Sequence, residues 1–186
     1  MNNLVLHEVT ESNVQTLCNL WTLFRYDLMP FIKFADGAHL NLFGTFGTET
    51  NQTHADDSAK AKIWCRKPGV LFAFLLEFES HSAGFATVAT PPHASQLVNY
   101  RLNDLFIISK YRRSGLGIET LRNIFNRFPG KWEVSWVREN SIAASFWLKA
   151  ISKLTNGDYE ETTESVEAGF ENSPRLLFHI SRPNIE

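Results

Sequence analysis

The chain has 186 residues, of which 44% are hydrophobic and 20% charged, a balance that suits one globular domain with its own core and excludes a disordered or fibrous chain. Lys and Arg number 18 against 20 Asp and Glu, giving a net charge of −2, so bulk charge favours neither nucleic acid nor an anionic membrane. The two cysteines, Cys18 and Cys65, sit in no CxxC pair or Cys/His cluster, and the histidines show no HExxH or HxxxH spacing, so no metal site is expected. The start, MNNLVLHEVTESN, lacks the basic region of a signal peptide. With no run of about 20 apolar residues, the expectation is a cytoplasmic protein that spans no membrane.

Leu4 to Val9 reads as a first strand. Ser12 and Gln15 fit a capping box, and Val14, Leu17, Cys18, Trp21, Phe24 and Leu28 then follow helical spacing. Pro30 ends that helix. Residues 31–67 are broken by Gly37, Gly44 and Gly47 and read as a loop or short helices. Val70–Glu79 and Phe85–Ala89 read as strands joined by a turn, and Pro91 and Pro92 stop the second. Leu102–Ile108 is a short, mostly apolar run of the buried-strand type. From Leu116 the pattern is helical, with Leu121, Ile124, Phe125 and Phe128 on one face. Pro129-Gly130 closes it. Trp132–Val137 alternates as a strand. Asn140 or Ser141 can cap a further helix whose apolar face is Ala143, Phe146, Trp147, Ala150, Ile151 and Leu154. Arg175–Ile180 reads as the last strand. The whole is one α/β (α+β) domain over residues 1–186, with a mostly antiparallel sheet and two crossover helices in its second half.

The informative segment is Arg112-Arg113-Ser114-Gly115-Leu116-Gly117. It follows a buried strand and opens a helix. There the backbone amides lack helical acceptors and meet the positive end of the helix dipole. Gly115 and Gly117 let an anion approach the backbone, and Arg112 and Arg113 add charge at the same mouth. A pyrophosphate fits this cradle. A Walker loop is excluded by the absence of GxxxxGK[ST], and a dinucleotide fingerprint by the missing third glycine after Gly117. A plain glycine-rich turn and a nucleotide-phosphate site remain open on these residues alone.

With its surroundings, the segment resembles the signature of the GNAT superfamily of acyl-CoA-dependent N-acetyltransferases, Gln/Arg-x-x-Gly-x-Gly/Ala. Leu105-Phe106-Ile107-Ile108 looks like that family's fourth strand. Trp132–Val137 and Asn140, Ala143, Phe146 and Trp147 look like its fifth strand and next helix. These motifs cover about residues 100–155. Tyr26-Asp27-Leu28 and Phe128–Val134 are similar to a group of small bacterial predicted acetyltransferases.

The resemblance implies a mixed sheet with splayed fourth and fifth strands flanked by helices. Acetyl-CoA would lie in the gap, against the backbone of Phe106, Ile107 and Ile108. Its pyrophosphate would rest on the amides of Arg113, Ser114, Gly115, Leu116 and Gly117 beside Arg112, with Asn140 and Phe146 contacting the cofactor from the following helix. The implied reaction is direct acetyl transfer to a primary amine, and no cysteine lies near the motif to carry the acetyl group. A backbone amide near Ile107 is the expected oxyanion donor. Asp104 is the first candidate for general base and Glu133 the second; for either, an exposed strand charge or a cross-strand ion pair is the competing reading.

Many family members have a tyrosine acid where this chain has Trp147, and an indole N–H is no acid. Tyr111, Tyr159 and Tyr26 are conceivable substitutes. The resemblance places the acceptor pocket at about Tyr26 to Phe46, with the 31–67 region as its wall and Asp27 and Asp36 attracting a cationic amine. A homodimer is common in the family. The alternative function is a non-catalytic module on the same fold that senses acyl-CoA or binds a protein.

Overall fold

A computed structural model of the chain describes residues 3–32, 40–46, 58–164 and 172–181. Asp36, Gly37, Gly47 and much of the polar stretch before Lys60 lie outside the described residues.

Seven strands form one sheet in the order β1-β2-β3-β4-β5-β7-β6. They are β1 Leu4–Glu8, β2 Leu71–Phe78, β3 His81–Ala89, β4 Tyr100–Ile107, β5 Gly130–Ser135, β6 Tyr159–Glu164 and β7 Ser173–Ile180. β4 and β5 pair parallel; every other neighbouring pair is antiparallel. Helix α1 spans Val14–Leu28 and a 3-10 helix spans Ser58–Cys65. Helix α2, Leu116–Arg127, makes the crossover that a parallel β4–β5 pair demands. Helix α3, Ser141–Thr155, follows β5.

Strand alternation divides the core between the two sheet faces. On one face Ala73, Leu75, Phe85 and Phe106 meet Leu17, Cys18 and Leu20 of α1 and Trp64 of the 3-10 helix. On the other, Phe74, Val88, Leu102, Trp132 and Val134 meet Leu121, Ile124 and Phe125 of α2 and Trp147 and Ile151 of α3. Trp21 stacks on Phe85 at 5.4 Å between ring centres, and Phe24 meets Phe85 edge-on at 5.5 Å. The α1 aromatic stripe is therefore core.

Three details differ from the sequence reading. The capping box does not form. Asn13 is the N-cap of α1, and its side chain instead ties the preceding turn: Oδ1 accepts from the Thr10 amide at 2.8 Å and Nδ2 donates to the Glu8 carbonyl at 3.0 Å. The strand expected at 132–137 lies at Gly130–Ser135. Strand β6 was not expected, because YEETTE carries no apolar alternation. It is an edge strand paired only to β7, and Glu160, Glu161 and Thr163 face solvent. An edge needs charge on its outer side more than it needs apolar residues.

Candidate functional site

β4 carries a bulge. Leu102 pairs with Val88 and Asp104 pairs with Thr87, so Asn103 stands opposite no residue of β3. The extra residue breaks the alternation of faces. Leu102 packs among α2 and α3, whereas Phe106, an even number of residues later, packs under α1. Asp104 turns with Phe106. Its partner Thr87 lies between Phe85 and Ala89, which belong to the α1 face.

Thr87 is fully buried and donates to Asp104 Oδ2 at 2.7 Å. Asn103 Nδ2 donates to the same oxygen at 2.7 Å. Among the described residues nothing donates to Oδ1. Burial pushes the Asp104 carboxyl above the ordinary carboxylate range, and this outweighs the two hydrogen bonds and the Arg101 charge that act the other way. A half-buried carboxyl with a raised pKa and one oxygen open has the properties of a general base.

Glu133 does not share them. It is 0% exposed. Its Oε1 accepts from the Ser95 amide at 2.8 Å and lies 3.8 Å from Arg101 Nη1, and its Oε2 accepts from Arg175 Nη1 at 3.2 Å. Both oxygens are occupied, which fits the cross-strand ion-pair reading of Glu133 better than the second-base one and ties β5 to β4, β7 and the β3–β4 loop.

β4 and β5 pair only through Tyr100–Trp132, Arg101–Glu133 and Leu102–Val134. From Asn103 to Ile107, β4 keeps β3 on one side and has no β5 partner on the other. The Ile108 amide bonds the Ala83 carbonyl at 2.8 Å. By the alternation of an antiparallel ladder, Phe106 then faces β3, while Leu105 and Ile107 turn their N–H and C=O into the gap. The Ile108 carbonyl accepts from the Tyr111 amide. Of the three residues expected to offer backbone to a ligand, Ile107 lies on the open side of β4 and Phe106 and Ile108 face β3; Leu105, which a strand pattern could not single out without its register, also faces the open side.

The gap leads to the amide cradle. Arg113 at φ 64° and Gly115 at φ 89° both adopt left-handed backbone, which curls successive amides toward one point. From Arg113 to Ile118 no amide bonds a backbone acceptor among the described residues; the first helical bond is Glu119 to the Gly115 carbonyl. The two glycines serve different ends. A Cβ on Gly115 would meet only open space, so its left-handed backbone is what requires glycine. A Cβ on Gly117 would lie 3.0 Å from the Phe146 ring, so Gly117 lets the starts of α2 and α3 close together. Asn140 caps α3, its Oδ1 accepting from the Ala143 amide at 2.9 Å.

Arg112 does not simply add charge at the cradle. Its Nε donates to the Ile107 carbonyl at 2.7 Å, and its Nη2 pairs with Asp27 of α1. That pairing also engages the carboxylate expected to attract an acceptor amine. The side chain of Arg113 is exposed and has no partner among the described residues. Trp147 is core, 7% exposed. Tyr159 packs on the α2/α3 side of the sheet, Tyr26 is 62% exposed on α1, and Tyr111 packs on Phe78 at 5.8 Å. A cavity of about 390 Å³ lined by Lys131, Trp132, Tyr159 and His179 opens at the start of β5 and holds none of the expected site residues.

No protein-family model matches the sequence, and no curated protein does. Solved structures match over nearly the whole chain. An acetyltransferase from Thermus thermophilus is 16% identical, with a TM-score of 0.64, covering 95% of this chain and 97% of that one. The PaiA N-acetyltransferase from Thermoplasma acidophilum, in complex with coenzyme A, is 10% identical, with a TM-score of 0.56 and coverage of 95% and 99%. A ribosomal alpha-N-protein acetyltransferase in complex with coenzyme A is 13% identical, with a TM-score of 0.59 and coverage of 96% and 94%.

The chain has the GNAT acetyltransferase fold.

In this GNAT-fold chain the splay, the amide cradle and Asp104 meet at the C-terminal end of β4. No helix among the described residues is long and apolar enough to cross a membrane, and no group of His, Cys, Asp and Glu among them could hold a metal ion.

The Asp104 environment has a consequence for stability. A carboxyl whose pKa is raised by folding binds more protons folded than unfolded between the two values, so stability falls as pH rises through that window. Asp104→Asn keeps an oxygen for Thr87 and Asn103 and removes the charge. The variant is expected to match the wild type below the ordinary carboxylate range and to exceed its melting temperature at pH 7–8. Thermal unfolding at pH 3.5 and at pH 7.5 measures this difference, and an equal offset at both would refute it.

Proposed function

We propose that the protein is an acetyl-CoA-dependent N-acetyltransferase that moves an acetyl group directly to a primary amine. The observation that carries this reading is the convergence of an open β4 edge, a row of unpaired amides and a carboxyl of raised pKa at one end of the splay. The neighbours with coenzyme A support it at the level of fold. An extended, partly apolar chain suits the edge of Leu105 and Ile107 beside Phe146. A pyrophosphate suits the amides of Arg113 to Ile118, with the Arg113 side chain beside them.

Acetyl-CoA supplies the acetyl group as a thioester. The Ile107 N–H, turned into the gap, is placed to donate to the carbonyl oxygen as negative charge develops there. Asp104 Oδ1 takes the proton that the acceptor nitrogen sheds as the N–C bond forms and the C–S bond breaks. The departing sulfur, whose thiol pKa is about 8.5, is more basic than a carboxylate and takes that proton from Asp104. The products are the amide and the free thiol, and no tyrosine acid is required. Burial pushes both cysteine thiols up, and Cys18 is enclosed under α1, so neither suits an acetyl-carrying nucleophile.

Acetyl-CoA at 100 times its dissociation constant should stabilise the protein by about 2.7 kcal/mol, which is roughly 5–10 °C in melting temperature for a chain of this size. ATP should give no shift. In Gly117→Glu, which brings bulk against Phe146 and negative charge to the cradle, the acetyl-CoA shift should vanish. An equal shift in the variant would remove the cradle from the site.

Asp104→Asn should lower kcat by roughly 10²–10⁴-fold and leave acetyl-CoA affinity within about twofold. An unchanged pH–rate profile would take Asp104 out of the mechanism. Binding without turnover across an amine panel would favour an acyl-CoA sensor, a reading to which the tryptophan in the tyrosine position lends some support.

A further inference from the structure

On the α1 side of β3, Thr87 stands between Phe85 and Ala89. All three are buried, and Thr87 itself is 0% exposed. Packing in this row would be served as well by valine, which matches threonine in shape and has no hydroxyl to desolvate. The hydroxyl has a partner across the ladder. The register places Thr87 opposite Asp104, and Thr87 Oγ1 donates to Asp104 Oδ2 at 2.7 Å. The direction of that bond is fixed, because an ionised carboxylate only accepts. Asn103, the bulge residue, brings a second donor to the same oxygen, also at 2.7 Å.

Both donors fall on Oδ2, and Oδ1 receives none among the described residues. Two consequences follow from this asymmetry. The lone pairs of Oδ2 are engaged, so an incoming proton goes to Oδ1. The two hydrogen bonds also favour the charged carboxylate, against the burial that pushes it up. The donors are not equivalent. Asn103 is exposed, so water can take over its bond, whereas Thr87 is fully enclosed. Among the charged and titratable groups of the elements packed on this face, Arg101 acts on the carboxyl. Glu133 is tied to Arg101 and Arg175, and Asp27 of α1 to Arg112. Lys62 of the 3-10 helix acts on Cys18, whose thiol burial pushes up and keeps uncharged.

We propose that Thr87 is a positioning residue of the acetyl-transfer reaction: its buried hydroxyl holds Asp104 Oδ2, so that Oδ1 receives the proton of the acceptor amine. This rests on the acetyltransferase reading and deepens it. As the N–C bond forms and the C–S bond breaks, the proton passes from nitrogen to Oδ1 and on to the sulfur. Oδ2 keeps both hydrogen bonds throughout, since a neutral carboxyl still offers its carbonyl oxygen. Thr87 acts through Asp104 alone.

Two variants separate the hydroxyl from the packing. Thr87→Val keeps the shape and removes the donor; Thr87→Ser keeps the donor and removes the methyl. Turnover is followed by thiol release, with acetyl-CoA and the fastest amine among spermidine, lysine and tyramine. In Thr87→Val, kcat should fall by roughly 10²-fold with KM for acetyl-CoA within about twofold. Losing a donor that favours the charged form raises the Asp104 pKa, so the acid limb of the pH–kcat profile should move to higher pH. Thr87→Ser should keep the wild-type kcat and the wild-type limb. A packing role would harm serine at least as much as valine, and that result overturns the proposal, as does an unmoved limb in Thr87→Val. Titration of the Asp104 carboxyl carbon by ¹³C NMR reads the same effect with no acceptor present. It should rise in valine and not in serine, and equal values in all three proteins overturn the proposal even where no amine is turned over. Thr87→Ala carries the same expectation and replaces valine if that variant does not fold. Absence of an acetyl-CoA thermal shift in the wild type overturns the acetyltransferase reading itself; a normal shift with the Thr87 results failing overturns the proposal alone.

Discussion

β4 and β5 share hydrogen bonds over only three residue pairs and then part, and the proposed site depends on that parting. Buried strand edges are costly when their N–H and C=O groups find no partner. Here the side of Leu105 and Ile107 away from β3 has no β5 partner, and Arg112 takes the Ile107 carbonyl; in the proposed function the rest of that edge serves acetyl-CoA. The bulge at Asn103 acts at the same place. Without it, regular alternation would turn Asp104 toward the core of α2 and α3. With it, the carboxyl emerges on the α1 face beside the gap. One extra residue therefore supplies both the orientation and the burial of the proposed base.

The polar groups at this site divide by how completely they are satisfied. Glu133 has partners on both oxygens and no exposed surface, the condition under which a buried charge is tolerated. Asp104 has two donors on one oxygen and, among the described residues, none on the other. Arg112 links the end of β4 to Asp27 of α1. Among the described residues the Arg175 Nε is buried without a partner. The pairing of Glu133 on both oxygens fits a role in tying strands together.

Much of this was legible in the sequence because it rests on local pattern. The signature from Arg112 to Gly117 needs only consecutive residues, and the helical faces of α2 and α3 show in their spacing. Asn140 announces its cap. What was not legible depends on register or on distant partners. The bulge shows only when β3 lies beside β4, so the split of Leu102 from Phe106 could not be read from β4 alone. Glu133 looked like a strand carboxylate of the same kind as Asp104, because Arg101, Arg175 and Ser95 lie 32, 42 and 38 residues away. Asp27 and Arg112 are 85 residues apart, so their pairing shows in neither segment alone. β6 has no pattern at all, since an edge strand is defined by the neighbour it joins.

The central claim is that the splay and the amide cradle hold acetyl-CoA. Amide NMR of the ¹⁵N-labelled chain, titrated with coenzyme A, tests it without knowledge of the acceptor. The account predicts the largest shifts at the Leu105 and Ile107 amides and from Arg113 to Ile118, with the amides of β1 and β6 unmoved. Saturable shifts centred elsewhere, or none in these two segments at saturating ligand, would contradict it.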